Sequence, residues 1–188
     1  IISSYVNIDI TSLADFRHQS ALMALIKVLV SRVGARLDYA KLSRLLGIST
    51  ATVRSYIDFF EHTYLITRLP VLTKNPDREI VKASKLYFSD NGLLKVLGDI
   101  GSGARFENAV FTQLRAYGSL RYYARKTGRE IDFILNDSLA LEAKESPTVE
   151  DGEELASLAD YLKISQSYCI GRYAVPNFNK YIWGGDIR

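Results

Sequence analysis

The chain has 188 residues, 47% hydrophobic and 24% charged. That balance excludes a disordered or fibrous chain and leaves room for one large domain or two small ones. The net charge of +3 permits contact with nucleic acid without requiring it, and no apolar run reaches the length of a membrane span.

The single cysteine, Cys169, is flanked by Tyr168 and Ile170. It excludes a disulfide framework and a cysteine-built metal site, and it reads as a small core residue. A cytoplasmic protein is expected. The first residue is Ile1, so a piece of a longer protein is expected as well.

In chain order, residues 12–33 carry helical periodicity, with Phe16, Leu22, Leu25, Ile26 and Leu29 on one face and Gly34 at the end. Asp38 suits the N-cap of a helix over 39–46, and Gly47 suits its C-terminal glycine. Ser49 opens a third helix whose buried stripe is predicted as Val53, Ile57, Phe60 and Tyr64, with Ala51, Thr52, Arg54 and Ser55 facing away. A strand over 65–72, a charged stretch over 74–78, a returning strand over 85–88 and a short helix over 91–97 follow. Gly98, Gly101, Ser102 and Gly103 then form the Gly/Ser punctuation of the chain. A boundary there divides it into 1–98 and 99–188.

The second part begins with a helix over 104–117, marked by Phe106, Ala109, Val110 and Leu114. Strands are predicted over 120–124, 130–136 and 139–145, with Thr127-Gly128 and Asn136-Asp137 at the hairpin turns. A helix over 149–162, with Leu155, Leu158 and Leu162 inward, precedes strands over 167–171 and 181–183. The order αβββαβ implies a mixed α/β or α+β fold.

Two groups of residues point to chemistry. In the first part, two short helices joined by Gly47-Ile48-Ser49 make a helix-turn-helix signature, and the strands after them make a wing. Thr50, Thr52, Arg54 and Ser55 would then begin a recognition helix, with hydroxyls and an arginine suited to phosphate and base-edge contact. Arg68, Lys74, Arg78, Lys82 and Lys85 would make the wing a basic clamp, opposed by Asp77 and Glu79. Winged helices also dock proteins, so the fold does not by itself choose DNA.

In the second part, alternation puts Glu142 and Lys144 on one strand face and Leu141 and Ala143 on the other. Asp132 is expected opposite Ile131 and Phe133, where the hairpin brings it beside Glu142. Two carboxylates offer hard oxygen ligands to Mg²⁺ or Mn²⁺, and a neighbouring lysine positions water or neutralises developing charge. Glu107, on the preceding helix, could add a third metal-binding carboxylate. Lys126 is expected near that site as a further phosphate contact. The alternative is an ordinary surface ion pair, worth under about 1 kcal/mol.

Asp132, then Glu142-x-Lys144, with Glu107 inside Phe106-Glu107-Asn108, resembles the PD-(D/E)XK nuclease superfamily, with Ile131-Asp132 in place of proline-aspartate. The chain is also similar to the C-terminal region of prokaryotic AAA+ ATPases of the domain-of-unknown-function 4143 type. That similarity rests on Leu45-Leu46-Gly47-Ile48-Ser49, Thr52-Val53-Arg54-Ser55-Tyr56, Lys85-Leu86-Tyr87-Phe88-Ser89-Asp90-Asn91-Gly92-Leu93, Phe106-Glu107-Asn108 and Gly128-Arg129-Glu130-Ile131-Asp132-Phe133.

The resemblance implies a winged helix followed by a restriction-endonuclease-like domain. It also implies DNA as partner, a catalytic set of Asp132, Glu142, Lys144 and Glu107, and an N-terminal ATPase module. No phosphate loop of the Gly-x-x-x-x-Gly-Lys-Ser/Thr kind occurs in the chain, so ATP would act through that module alone. Two other readings stay open: a silent nuclease-like scaffold that binds DNA or a protein, and a regulator of the ATPase with no nucleic-acid role. Oligomeric state is not legible.

Overall fold

The computed structural model describes residues 19–73, 83–125, 127–174 and 179–187. Phe16, Lys74, Asp77, Arg78, Glu79, Lys82 and Lys126, all assigned a place above, lie outside the described residues.

The first part begins with α1 (Gln19–Val30), which buries Leu22, Leu25, Ile26 and Leu29 as its period requires. In α2 (Tyr39–Leu46) the Asp38 carboxylate accepts the Lys41 amide at 2.8 Å, and the helix ends at Gly47, whose φ of 65° is left-handed. In α3 (Thr50–His62) the Ser49 hydroxyl accepts the Thr52 amide at 3.0 Å.

The buried stripe of α3 is Val53, Tyr56, Ile57 and Phe60. Tyr64, predicted to belong to it, is 82% exposed. The helix has ended by then, and a φ of 57° turns that residue away from the core.

Strand β1 (Ile66–Leu69) pairs antiparallel with β2 (Lys85–Phe88), with Ile66 opposite Phe88 and Leu69 opposite Lys85. The predicted strand over 65–72 is cut short at Pro70, which has no amide to donate. Val71 beyond it instead bridges Tyr122 of the second part. The short helix α4 (Asn91–Leu97) is capped by Asp90.

The second part has α5 (Ser102–Leu114) and a sheet in the order β3 (Leu120–Ala124), β4 (Glu130–Leu135), β5 (Leu139–Lys144), β6 (Gln166–Gly171) and β7 (Tyr181–Trp183). The first three strands are antiparallel, and β5, β6 and β7 are parallel. Helix α6 (Val149–Leu162) makes the crossover from β5 to β6 and starts at a capping box of Thr148 and Asp151. Asn136 and Asp137 both have positive φ, 50° and 56°, as a tight hairpin turn of the I′ kind demands.

The fold is therefore mixed α/β with two sheets. One apolar cluster draws residues from both parts, from Leu22 of α1 through Phe88 of β2 to Phe111 of α5 and Phe133 of β4. A smaller cluster on the other face of the large sheet joins Ile131, Ile134 and Ala140 to Leu155, Leu158 and Ala159 of α6. Among the described residues no helix is long and apolar enough to cross a membrane.

Candidate active site

The geometry of the site begins with an irregularity in β4. Arg121 of β3 faces Ile134, and Tyr123 faces Ile131. Three steps along β4 thus match two along β3, which is a β-bulge. The bulge separates two residues expected on one face. Ile131 packs toward α6, whereas Phe133 sits on the α5 side, 5.6 Å from the Tyr87 ring and 6.3 Å from the Phe111 ring.

Asp132 lies at this bulge, 7% exposed. The β4–β5 ladder runs from Leu135↔Leu139 to Phe133↔Leu141. At the next step the Asp132 carboxylate replaces a backbone partner: its Oδ2 accepts the Ala143 amide at 3.2 Å. The other oxygen accepts the Lys85 ammonium at 2.8 Å.

Lys85 was expected on an exposed basic wing. It is instead 2% exposed, with Nζ 2.8 Å from Asp132, 3.1 Å from Glu130 and 3.9 Å from Glu107. Burial alone would lower its pKa. Asp132, Glu107 and Glu130 together overcome that and hold it above the ordinary lysine value. A signal was present in the run Lys85-Leu86-Tyr87-Phe88, whose three large apolar residues mark a buried strand, and the structure buries all four; a charge so placed needs a counter-charge. Its sequence neighbours do not supply one.

Glu107 accepts the Tyr87 hydroxyl at 2.7 Å. Gly34 makes room for it, because a Cβ there would stand 2.7 Å from Glu107 Oε1. Burial, with Asp132 next in weight, pushes the Glu107 carboxyl up to about 7.

Glu142 and Lys144 share the strand face toward α6, as alternation predicts. They line a cavity of about 30 Å³ with Glu130, Asp151 and Glu154, room for about one water. Glu142 Oε2 is buried and has no hydrogen-bond partner among the described residues. Burial first, then the Asp132 charge, pushes its carboxyl up to about 9. Lys144 donates to Asp151, the residue that completes the α6 cap.

Lys85 links Asp132 to Glu107 on the α5 side, while Glu142 and Lys144 lie toward α6, close enough to Asp132 for its charge to act on both. Among the described residues no three His, Cys, Asp or Glu side chains are grouped to hold a metal ion. The carboxylates are of the right kind for Mg²⁺ or Mn²⁺, which commonly take one or two protein carboxylates and complete their shell with water and phosphate. Asp132 and Glu142 are carboxylates on adjoining strands, and Glu142 Oε2 has no hydrogen-bond partner among the described residues.

In the first part, Arg54 and Ser55 are exposed and Thr50 and Thr52 half-buried at the start of α3. The Arg54 guanidinium lies 4.2 Å from the centre of the Tyr39 ring. The Thr52 hydroxyl bonds the Ser49 hydroxyl at 2.8 Å. Arg68, expected to clamp phosphate, is held by its own module: its side chain pairs with Asp58 at 3.0 Å, and its Nε donates to Glu61 at 2.7 Å.

Residues 1–104 match the family model of a domain of unknown function, DUF8612. That span is more than half of the chain, and the chain belongs to this family. Residues 102–176 match a second domain of unknown function, DUF4143. The 4143-type likeness, drawn on stretches from both parts, thus has its match in the second. No curated protein and no solved structure matches the chain.

Proposed function

We propose that this DUF8612 family member is the DNA-handling C-terminal region of an AAA+ ATPase, with a winged helix-turn-helix in its first part. In this reading the second part is a PD-(D/E)XK nuclease-like module that cleaves phosphodiesters with a divalent metal. One observation carries it. Asp132 sits where β4 and β5 part, and Glu142, on the adjoining strand, keeps a buried oxygen without a hydrogen-bond partner.

Asp132 and Glu142 would hold Mg²⁺ or Mn²⁺, with Glu107 assisting. When bound, such an ion supplies stabilisation of charge on the scissile phosphate and acidifies a water. Lys144, freed from Asp151, would orient that water and offset the negative charge of the transition state. Thr50, Thr52, Arg54 and Ser55 would meet the duplex. Arg68 would contact phosphate only by giving up Asp58 and Glu61. In this reading ATP acts through a separate N-terminal module, as the resemblance to AAA+ ATPases implies.

One observation favours the second reading, a silent scaffold that binds DNA or a partner and regulates the ATPase. Both Asp132 oxygens are already engaged, one by a buried ammonium.

Calorimetry with Mg²⁺ and Mn²⁺, with and without duplex DNA, separates the two. Metal uptake that vanishes in the Asp132→Ala/Glu142→Ala double variant, with cleavage that vanishes in Lys144→Ala, is the expected result. No uptake even with DNA would leave the scaffold.

A further inference from the structure

We propose that Lys85 is the resident cation of the acidic centre. Its ammonium holds the Asp132 oxygen that a divalent metal would need, so metal enters only when Lys85 withdraws. This inference rests on the reading of Asp132 as a metal ligand.

Three observations lead to it. The first is position. The Lys85 Nζ stands within 4 Å of Asp132, Glu130 and Glu107, so one compact charge is met by three carboxylates from β4 and α5. The ammonium thus occupies the oxygen face of Asp132 and is shared with Glu130 and, at longer range, Glu107.

The second is origin. Lys85 comes from the first part of the chain, and its backbone is fixed there. It pairs with Leu69 in the β1–β2 ladder, and its neighbours bond to the segment before α2, Leu37 to Ser84 at 2.9 Å and Leu86 to Ala35 at 3.1 Å. From the same segment Arg36 reaches Glu130 at 3.1 Å. Any shift of this hairpin relative to the large sheet draws on the Lys85–Asp132 bond.

The third is incompleteness. The ammonium answers the acids on the α5 side but leaves Glu142 Oε2 without a hydrogen-bond partner among the described residues.

The test uses the whole chain and Mn²⁺ alone. Lys85→Met keeps the aliphatic stem and removes the charge. Calorimetry is expected to show Mn²⁺ binding at least about tenfold tighter than in the parent. Thermal melts should show millimolar Mn²⁺ raising the midpoint of Lys85→Met by more than that of the parent. Lys85→Arg, which keeps the charge, should retain the parent's affinity.

Equal Mn²⁺ affinity in parent and Lys85→Met overturns the proposal, and so does a gain in Lys85→Arg as large as that in Lys85→Met, which would trace the effect to packing. If Lys85→Met does not fold unaided, recovery of a cooperative melt on adding Mn²⁺ supports the proposal and failure to recover counts against it. The metal-ligand reading can survive these failures. It falls only if the parent with DNA and the Asp132→Ala/Glu142→Ala variant bind metal alike.

Discussion

The α2–α3 region and the acidic centre are held together in opposite ways. In the first, the caps and the corner close over a few residues: Asp38 to Lys41, Ser49 to Thr52, Ser43 to the Ile48 carbonyl. In the second, the contacts join distant segments: Lys85 to Asp132, Tyr87 to Glu107, and Asn108 to both backbone groups of Phe88. Removing a local cap costs that cap and little else, so effects add. Removing one member of the centre leaves several buried polar groups unsatisfied together, so effects couple.

The largest break in this contrast is expected from Lys85→Met. It deletes the ammonium from three carboxylates and should destabilise by about 3–5 kcal/mol, as for other broken buried ion pairs. Urea unfolding measures it. Adding Asp132→Asn should restore part of the loss, giving a coupling of at least about 1 kcal/mol. Strict additivity of the two substitutions would remove the centre from the coupled class.

A smaller effect sharpens the picture of excess negative charge. The Glu142 carboxyl is raised from 4.5 to about 9 and the Glu107 carboxyl to about 7. Both bind protons more tightly folded than unfolded. Their contribution to stability is complete below about pH 4.5 and is lost as pH rises through about 7 and about 9. The thermal midpoint should therefore decline from pH 5 to pH 9. Glu142→Gln, which has no proton to lose, should flatten the upper part of that decline and stabilise the chain at pH 8 by about 1–2 kcal/mol, roughly the worth of one pKa unit. Identical slopes in parent and variant would contradict the assignment.

The same contrast decides what was legible beforehand. Asp38, Gly47 and Ser49 announce helix ends through their own chemistry, and the Asn136-Asp137 turn announces a hairpin, so α2, α3 and the β4–β5 pairing follow from short windows. Alternation placed Glu142 and Lys144 together on their strand. It misplaced Ile131, which packs toward α6 while Phe133 keeps the face of Leu141, because the bulge lies at the far end of β4 from the turn that sets the register. It also misjudged Arg68 and Lys85. Both are basic residues of one hairpin. One is captured by Asp58 and Glu61 of its own module, the other by acids 22 to 47 positions away. Periodicity carries no information about partners at that range.

The smallest predicted effect is the control for the local half of the contrast. Ser49→Ala removes the hydroxyl that accepts the Thr52 amide and also bonds the Thr52 hydroxyl. The expected cost is about 1 kcal/mol. It should add to that of Lys85→Met within about 0.5 kcal/mol, because the two sites share no partner. If Thr50, Thr52, Arg54 and Ser55 meet DNA, the same substitution loosens the first turn that presents them. Duplex affinity should then fall while the Mn²⁺ affinity of the centre stays at the parent's value. A Ser49→Ala chain with altered metal binding would mean that the turn of α3 and the acidic centre move as one body, and that the hairpin carrying Lys85 transmits between them.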